Sequence, residues 1–140
     1  MKRIIIILFI LAPTVGFGQC YLTSKVVSTT VGKAFDSYGI SYRTSYSYGS
    51  LEAGGTALLT SKFYAGNTYV LGVAGNDKAG DIDLYVYDSQ ENLIAKEVSN
   101  NKVSVVTFTP RYTDNFFIII KMYDVIGTGE ACWALLYGYQ

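Results

Sequence analysis

Four aspartates, Asp77, Asp81, Asp83 and Asp88, form the chain's acidic cluster. Oxygen-rich clusters suit calcium, which takes about six to eight oxygen ligands. Asp81 and Asp83 share one face of an alternating segment, and Asp77 lies in the turn leading into it. These three are the candidate calcium ligands. The spacing is not that of an EF-hand loop, because no Gly stands at its sixth position and no Glu at its twelfth. The competing reading is structural: the aspartates accept turn hydrogen bonds and solvate a sheet edge.

Tyrosine is the second candidate chemistry, with 13 of 140 residues. Tyr presents apolar area and a polar tip, which suits sugar rings and protein interfaces. Tyr42, Tyr46 and Tyr48 lie in an irregular Tyr/Ser/Gly stretch, while Tyr85 and Tyr87 share a strand face with Asp83. Against a binding role stands the plain fact that Tyr is a good strand former on a half-exposed face.

Catalytic patterns are weak. The chain has no His, which removes the commonest general base and every Ser-His or Cys-His pair. Ser99-Asn100-Asn101-Lys102 spells Ser-x-x-Lys, but in a turn and without partner motifs. Ala53-Gly54-Gly55-Thr56 has no following Lys, so it makes no phosphate loop. A carboxylate pair could hydrolyse glycosides without His, yet nothing singles out a pair. The expectation is a protein that is not an enzyme. Eleven basic residues balance eleven acidic ones, so there is no basic footprint for nucleic acid.

The first residues read as an address. Met1-Lys2-Arg3 is a positive head, residues 4–12 are apolar, and residues 13–18 are small and breaker-rich, the order of a secretory signal. The apolar run is too short to span a bilayer. Cleavage near Gly18 is expected, and it leaves nine basic against eleven acidic residues. In an oxidising compartment the two cysteines, Cys20 and Cys132, read as one disulfide. The alternative is a lipid on Cys20. Phe17-Gly18-Gln19-Cys20 matches a lipobox in Gly18 and Cys20 only, since Gln19 is not small.

The rest must position these residues, and it reads as strands. In residues 81–88, Ile82, Leu84 and Val86 point one way while Asp81, Asp83, Tyr85 and Tyr87 point the other, the mark of a half-buried strand. Residues 67–75 put Tyr69, Leu71 and Val73 on one face, and residues 103–109 do the same with Val106 and Phe108. Residues 115–123 are apolar on both faces from Phe116 to Ile120, which predicts a central strand. Residues 57–64, 93–98 and 132–139 complete about seven. Gly/Asn/Asp-rich connectors such as Ala65-Gly66-Asn67 and Gly127-Thr128-Gly129 carry turn chemistry. Short strands at near-regular spacing suggest a sandwich or barrel. Earlier, Val27, Val31, Ala34 and Phe35 fall on one helical face, so residues 24–35 are a short helix or, given their β-branched content, an edge strand. Residues 37–50 read as a long loop or an irregular edge strand.

Three segments carry a family resemblance: Ala65-Gly66-Asn67-Thr68-Tyr69, then Asp81-Ile82-Asp83-Leu84-Tyr85-Val86-Tyr87-Asp88, then Val106-Thr107-Phe108-Thr109-Pro110. Together they resemble the bacterial pre-peptidase C-terminal domain family, over about two-thirds of the chain. Two departures stand out. Thr113-Asp114-Asn115-Phe116 replaces the family's Thr-Gly-x-Tyr, and Gln90-Glu91-Asn92 stands where the family commonly has Gly. The resemblance implies a jelly-roll-like sandwich serving as a non-catalytic accessory of secreted proteases, some relatives binding extracellular matrix or calcium. With no protease ahead of it, this would be a stand-alone version, and a fold does not by itself transfer a partner.

The expectation is therefore an all-β, jelly-roll-like antiparallel β-sandwich of about seven to eight strands. Residues 1–18 are a signal peptide, 19–50 a helix or loop extension, and 51–140 the sandwich. The protein is expected to be secreted, periplasmic or at the cell surface of a bacterium. There it would contact an extracellular polysaccharide or protein, or else act as an assembly component with a tyrosine-rich interface. No cofactor is expected beyond the calcium considered above.

Overall fold

The computed structural model describes residues 18–140, so the expected signal peptide, residues 1–18, lies outside the described residues apart from Gly18. One helix is followed by nine strands: α1 (Gly18–Ser37), β1 (Ser41–Tyr42), β2 (Ser47–Glu52), β3 (Thr56–Phe63), β4 (Tyr69–Gly75), β5 (Ala79–Tyr87), β6 (Leu93–Glu97), β7 (Val103–Phe108), β8 (Asp114–Val125) and β9 (Glu130–Tyr139). The strands form two antiparallel sheets. Sheet A runs β1-β9-β4-β7, with β2 also paired along β9, and sheet B runs β3-β8-β5-β6. The order β2-β9-β4-β7 against β3-β8-β5-β6 is that of a jelly roll. Among the described residues no helix is long and apolar enough to cross a membrane.

Strand alternation builds the core between the sheets. Leu71 and Val73 of β4, Ile82, Leu84 and Val86 of β5, Val106 and Phe108 of β7, and Phe116, Ile118 and Ile120 of β8 all point into it. Trp133 of β9 joins them, and Gly49 of β2 makes room: a Cβ there would sit 3.0 Å from the indole. β2 spans the domain boundary placed at residue 51. Its sequence, SYGSLE, carries little apolar periodicity, and it becomes a strand by pairing with β9.

The helical alternative holds for the N-terminal segment. Ser24, Val27, Ser28, Val31, Gly32 and Phe35 are buried, a helical spacing that points one stripe at sheet A. Ala34, expected on that stripe, is exposed. Small residues set the approach. A Cβ at Gly72 would lie 2.8 Å from the Phe35 ring, and one at Gly138 would lie 2.7 Å from Ile40. Val70, Ala74, Ala134 and Leu136 complete this second core. Ser24 donates its hydroxyl proton to the Trp133 carbonyl at 3.2 Å. The expected disulfide is present: Cys20 bridges to Cys132, 112 residues away, with the Cα atoms 5.5 Å apart. Both thiols are used in it.

Candidate functional site

Sheet A is roofed by α1, but sheet B is not. Residues directly paired across strands share a face, so the register writes out the outer surface of sheet B row by row. One row is Leu58, Ile119, Tyr85, Lys96; the next is Thr60, Phe117, Tyr87, Leu93. Leu58 is 65% exposed and Leu93 46% exposed; Ile119, Phe117, Tyr85 and Tyr87 are half-buried. The result is a contiguous apolar and aromatic surface rimmed by Thr60, Lys62 and Lys96. Contiguous exposed apolar surface of this kind marks contact sites.

Tyr85 and Tyr87 lie side by side at its centre, ring centroids 6.5 Å apart and planes within 19°. Tyr85 Oη donates to Asp83 Oδ2 at 3.4 Å. Burial, the Asp83 charge and this hydrogen bond all raise the Tyr85 pKa, so the phenol stays a donor. Burial and the neighbouring Asp81 raise the Asp83 carboxyl, while the Tyr85 hydrogen bond and Lys121 oppose the shift. Lys121 is the direct cross-strand partner of Asp83.

Asp81 and Asp83 do not solvate an edge. β5 is an interior strand of its sheet, and Asp81 and Asp83 are only 7% and 5% exposed. Asp81 accepts the Asn101 backbone N–H at 3.1 Å. Together with Val98, Asn100, Tyr123 and Asp124 they line a depression of about 510 Å³ at one end of the tyrosine row. Asp77 points elsewhere, to an exposed ion pair with Lys102 at 3.7 Å. Among the described residues no three acidic or thiol side chains are grouped to hold a metal ion.

Tyr42 and Tyr48 lie in β1 and β2 of the opposite sheet, and Tyr46 lies in the connection between those strands. Tyr42 packs edge-on to Phe35 and reaches Asp36 with its hydroxyl at 3.3 Å. Tyr46 packs on the second core and against Tyr48, and Tyr48 meets Tyr21 at 5.8 Å. These contacts tie helix to sheet edge, so the two tyrosine groups do not form one surface. In the Ser-x-x-Lys turn, Ser99 donates its N–H to Glu97 and Lys102 is held by Asp77. Leu58, Phe117, Ile119 and Leu93 were not singled out in the sequence. For Phe117 and Ile119 the one signal was the two-sided apolar pattern of β8; Leu58 and Leu93 lie in β3 and β6 and carried none. β8 is indeed central in its sheet, but its second apolar face opens outward instead of meeting another layer.

No family model matches the chain, and no curated protein matches it. Solved structures do. The pre-peptidase C-terminal domain of a collagenase from Bacillus anthracis aligns with a TM-score of 0.53 at 18% identity, over 66% of this chain and 87% of that one. The Yersinia pseudotuberculosis-derived mitogen aligns with a TM-score of 0.53 at 10% identity, over 69% and 85%. PliG of Aeromonas hydrophila, a periplasmic inhibitor of g-type lysozyme, gives 0.50 at 13%, over 74% and 90%. At such identities the likeness is one of fold. The chain has the β-sandwich fold also seen in the collagenase's pre-peptidase C-terminal domain.

Proposed function

We propose that the chain is an exported, non-catalytic module that binds an extracellular polysaccharide along β5 on the outer face of sheet B. On this reading residues 1–18 direct export and are removed, and the described domain is a member of the pre-peptidase C-terminal domain family. One observation carries the binding site: sheet B presents a continuous aromatic and apolar row, centred on Tyr85 and Tyr87, where sheet A carries a helix. Half-buried rings of nearly common orientation offer preorganised area to the apolar faces of sugars. Lys96, the exposed cross-strand partner of Tyr85, supplies a hydrogen-bond donor beside them. No cofactor is assigned to this role.

The test is affinity electrophoresis of the exported protein through gels containing xylan, galactomannan, mixed-linkage glucan or pectin. Retardation by at least one is expected, and Tyr85→Ala or Tyr87→Ala should each weaken it about tenfold, roughly 1.4 kcal/mol. No retardation in any gel, or unchanged retardation of both variants, refutes the reading. Leu58, the most exposed apolar residue of the row, favours a second reading, a protein interface. Concentration-dependent self-association that Leu58→Ser abolishes would identify the face as an assembly surface.

A further inference from the structure

The tyrosine row does not end in open solvent. Along β5 it leads past Tyr87 into a cleft of about 690 Å³ between the 88–92 loop and the segment after β7. Leu93, the cross-strand partner of Tyr87, lines both row and cleft. Pro110 and Phe116 are buried and give the cleft an apolar floor. Arg111 and Tyr112 stand exposed on its wall, Tyr112 at 79%.

The cleft is held in shape from several sides. Asp88 accepts the backbone N–H groups of Gln90 and Asn92 at 2.9 and 2.8 Å, and the Asn92 amide at 2.9 Å. These bonds hold its carboxyl below the usual range. They also hold Glu91 at φ 64°, a left-handed conformation that favours Gly. The Ser89 hydroxyl bonds Asp114 across the cleft. Behind it, Thr113 accepts the Ala65 N–H at 2.9 Å and the Pro110 carbonyl accepts from Gly66. A left-handed non-Gly residue in an ordered loop is a strain that surrounding bonds must maintain, and such strain gathers at ligand sites.

We infer that this cleft is a second glycan subsite, which takes a neutral, hydroxyl-rich sugar ring continuing from the tyrosine row. The inference rests on the polysaccharide reading of sheet B and extends it from a flat contact to a subsite that reads one ring. Tyr112 and the Pro110–Phe116 floor meet the ring's apolar faces, and Arg111 and the free amide of Gln90 meet its hydroxyls. Neutral rings are favoured over uronates, because two carboxylates, Asp88 and Asp114, face one guanidinium. The carboxylate oxygens are already occupied by loop donors, which disfavours a bound cation.

The experiment is amide-resolved NMR titration of the exported protein with methyl glucoside, methyl galactoside, methyl xyloside, cellobiose and glucuronate. Each is raised to about 50 mM, where millimolar binding still registers. At least one neutral probe should shift the amides of Gln90, Asn92, Arg111 and Tyr112. Arg111→Ala and Tyr112→Ala, both surface changes, should weaken that binding at least fivefold while leaving the remaining spectrum in place. No shifts in the cleft, shifts unaffected by both variants, or tighter binding of glucuronate overturns the inference. Failure of the two readings is distinguishable. Retention in polysaccharide gels that needs Tyr85 and Tyr87, with a silent cleft, defeats the subsite alone. Cleft shifts without gel retention uphold the subsite and defeat the reading of the sheet face.

Discussion

Opening the Cys20–Cys132 bridge tests how the N-terminal helix is joined to the sandwich. The two cysteines are 112 residues apart, so the bond closes a ring around almost the whole described fold. In the chain-entropy account the stabilisation grows with the logarithm of ring length, and a ring of this size is worth about 4.8 kcal/mol, the upper figure. The native contacts of the helix survive the loss of the bond, since Val27, Val31 and Phe35 still pack on Val70, Ala74, Ala134 and Leu136. The effect should therefore fall on the unfolded chain. In urea, with a slope of about 2 kcal/mol per molar for a domain of this size, the midpoint of a Cys20→Ala/Cys132→Ala variant should drop by about 2 M. Reduced wild-type protein should match it. The slope should rise as well, because an uncrosslinked unfolded chain exposes more surface. A midpoint shift under about 0.5 M with an unchanged slope refutes the argument and would mean that the ring hardly restrains the unfolded state.

Gly72→Val should separate helix from sheet. The new side chain would enter space held by Phe35 and Val31, whose atoms lie 2.8 and 2.9 Å from the Cβ position; overpacking of this kind costs about 1–3 kcal/mol. Hydrogen exchange should then accelerate in α1 but not in sheet B. Asp83→Asn should stabilise the fold at neutral pH. Its carboxyl is raised in the folded state, chiefly by burial, so ionisation disfavours the native form, and wild-type stability should increase as pH falls through that raised pKa. Urea titrations at several pH values should show this slope, and the Asn variant should lack it.

The strands whose faces alternate were legible from residue order alone. β4, β5 and β7 place Tyr69, Leu71, Val73, Ile82, Leu84, Val86, Val106 and Phe108 inward as their period of two predicts. β2 was legible only as one of two alternatives, a long loop or an irregular edge strand, because Ser47, Gly49 and Ser50 carry no apolar signal. It exists because β9 offers an unpaired edge, and Gly49 admits Trp133. The site was legible in part. Tyr85 and Tyr87 were found by their shared face with Asp83. Leu58 and Leu93 were not, since a single exposed leucine means little until the register sets it beside Phe117 and Ile119.

The sequence by itself determined the class of fold and the absence of histidine chemistry, and it pointed to one disulfide between its two cysteines. Each follows from local pattern or composition, which needs no knowledge of neighbours. The tertiary structure decided which apolar face is covered. α1 lies over sheet A because Gly72 and Gly138 leave space for Phe35 and Ile40, and sheet B is left open. Tertiary packing also buried Asp81 and Asp83 in an interior strand, sent Asp77 to Lys102, and divided the tyrosines between helix packing and an exposed row. These outcomes depend on register and layer order, which join residues far apart in the chain.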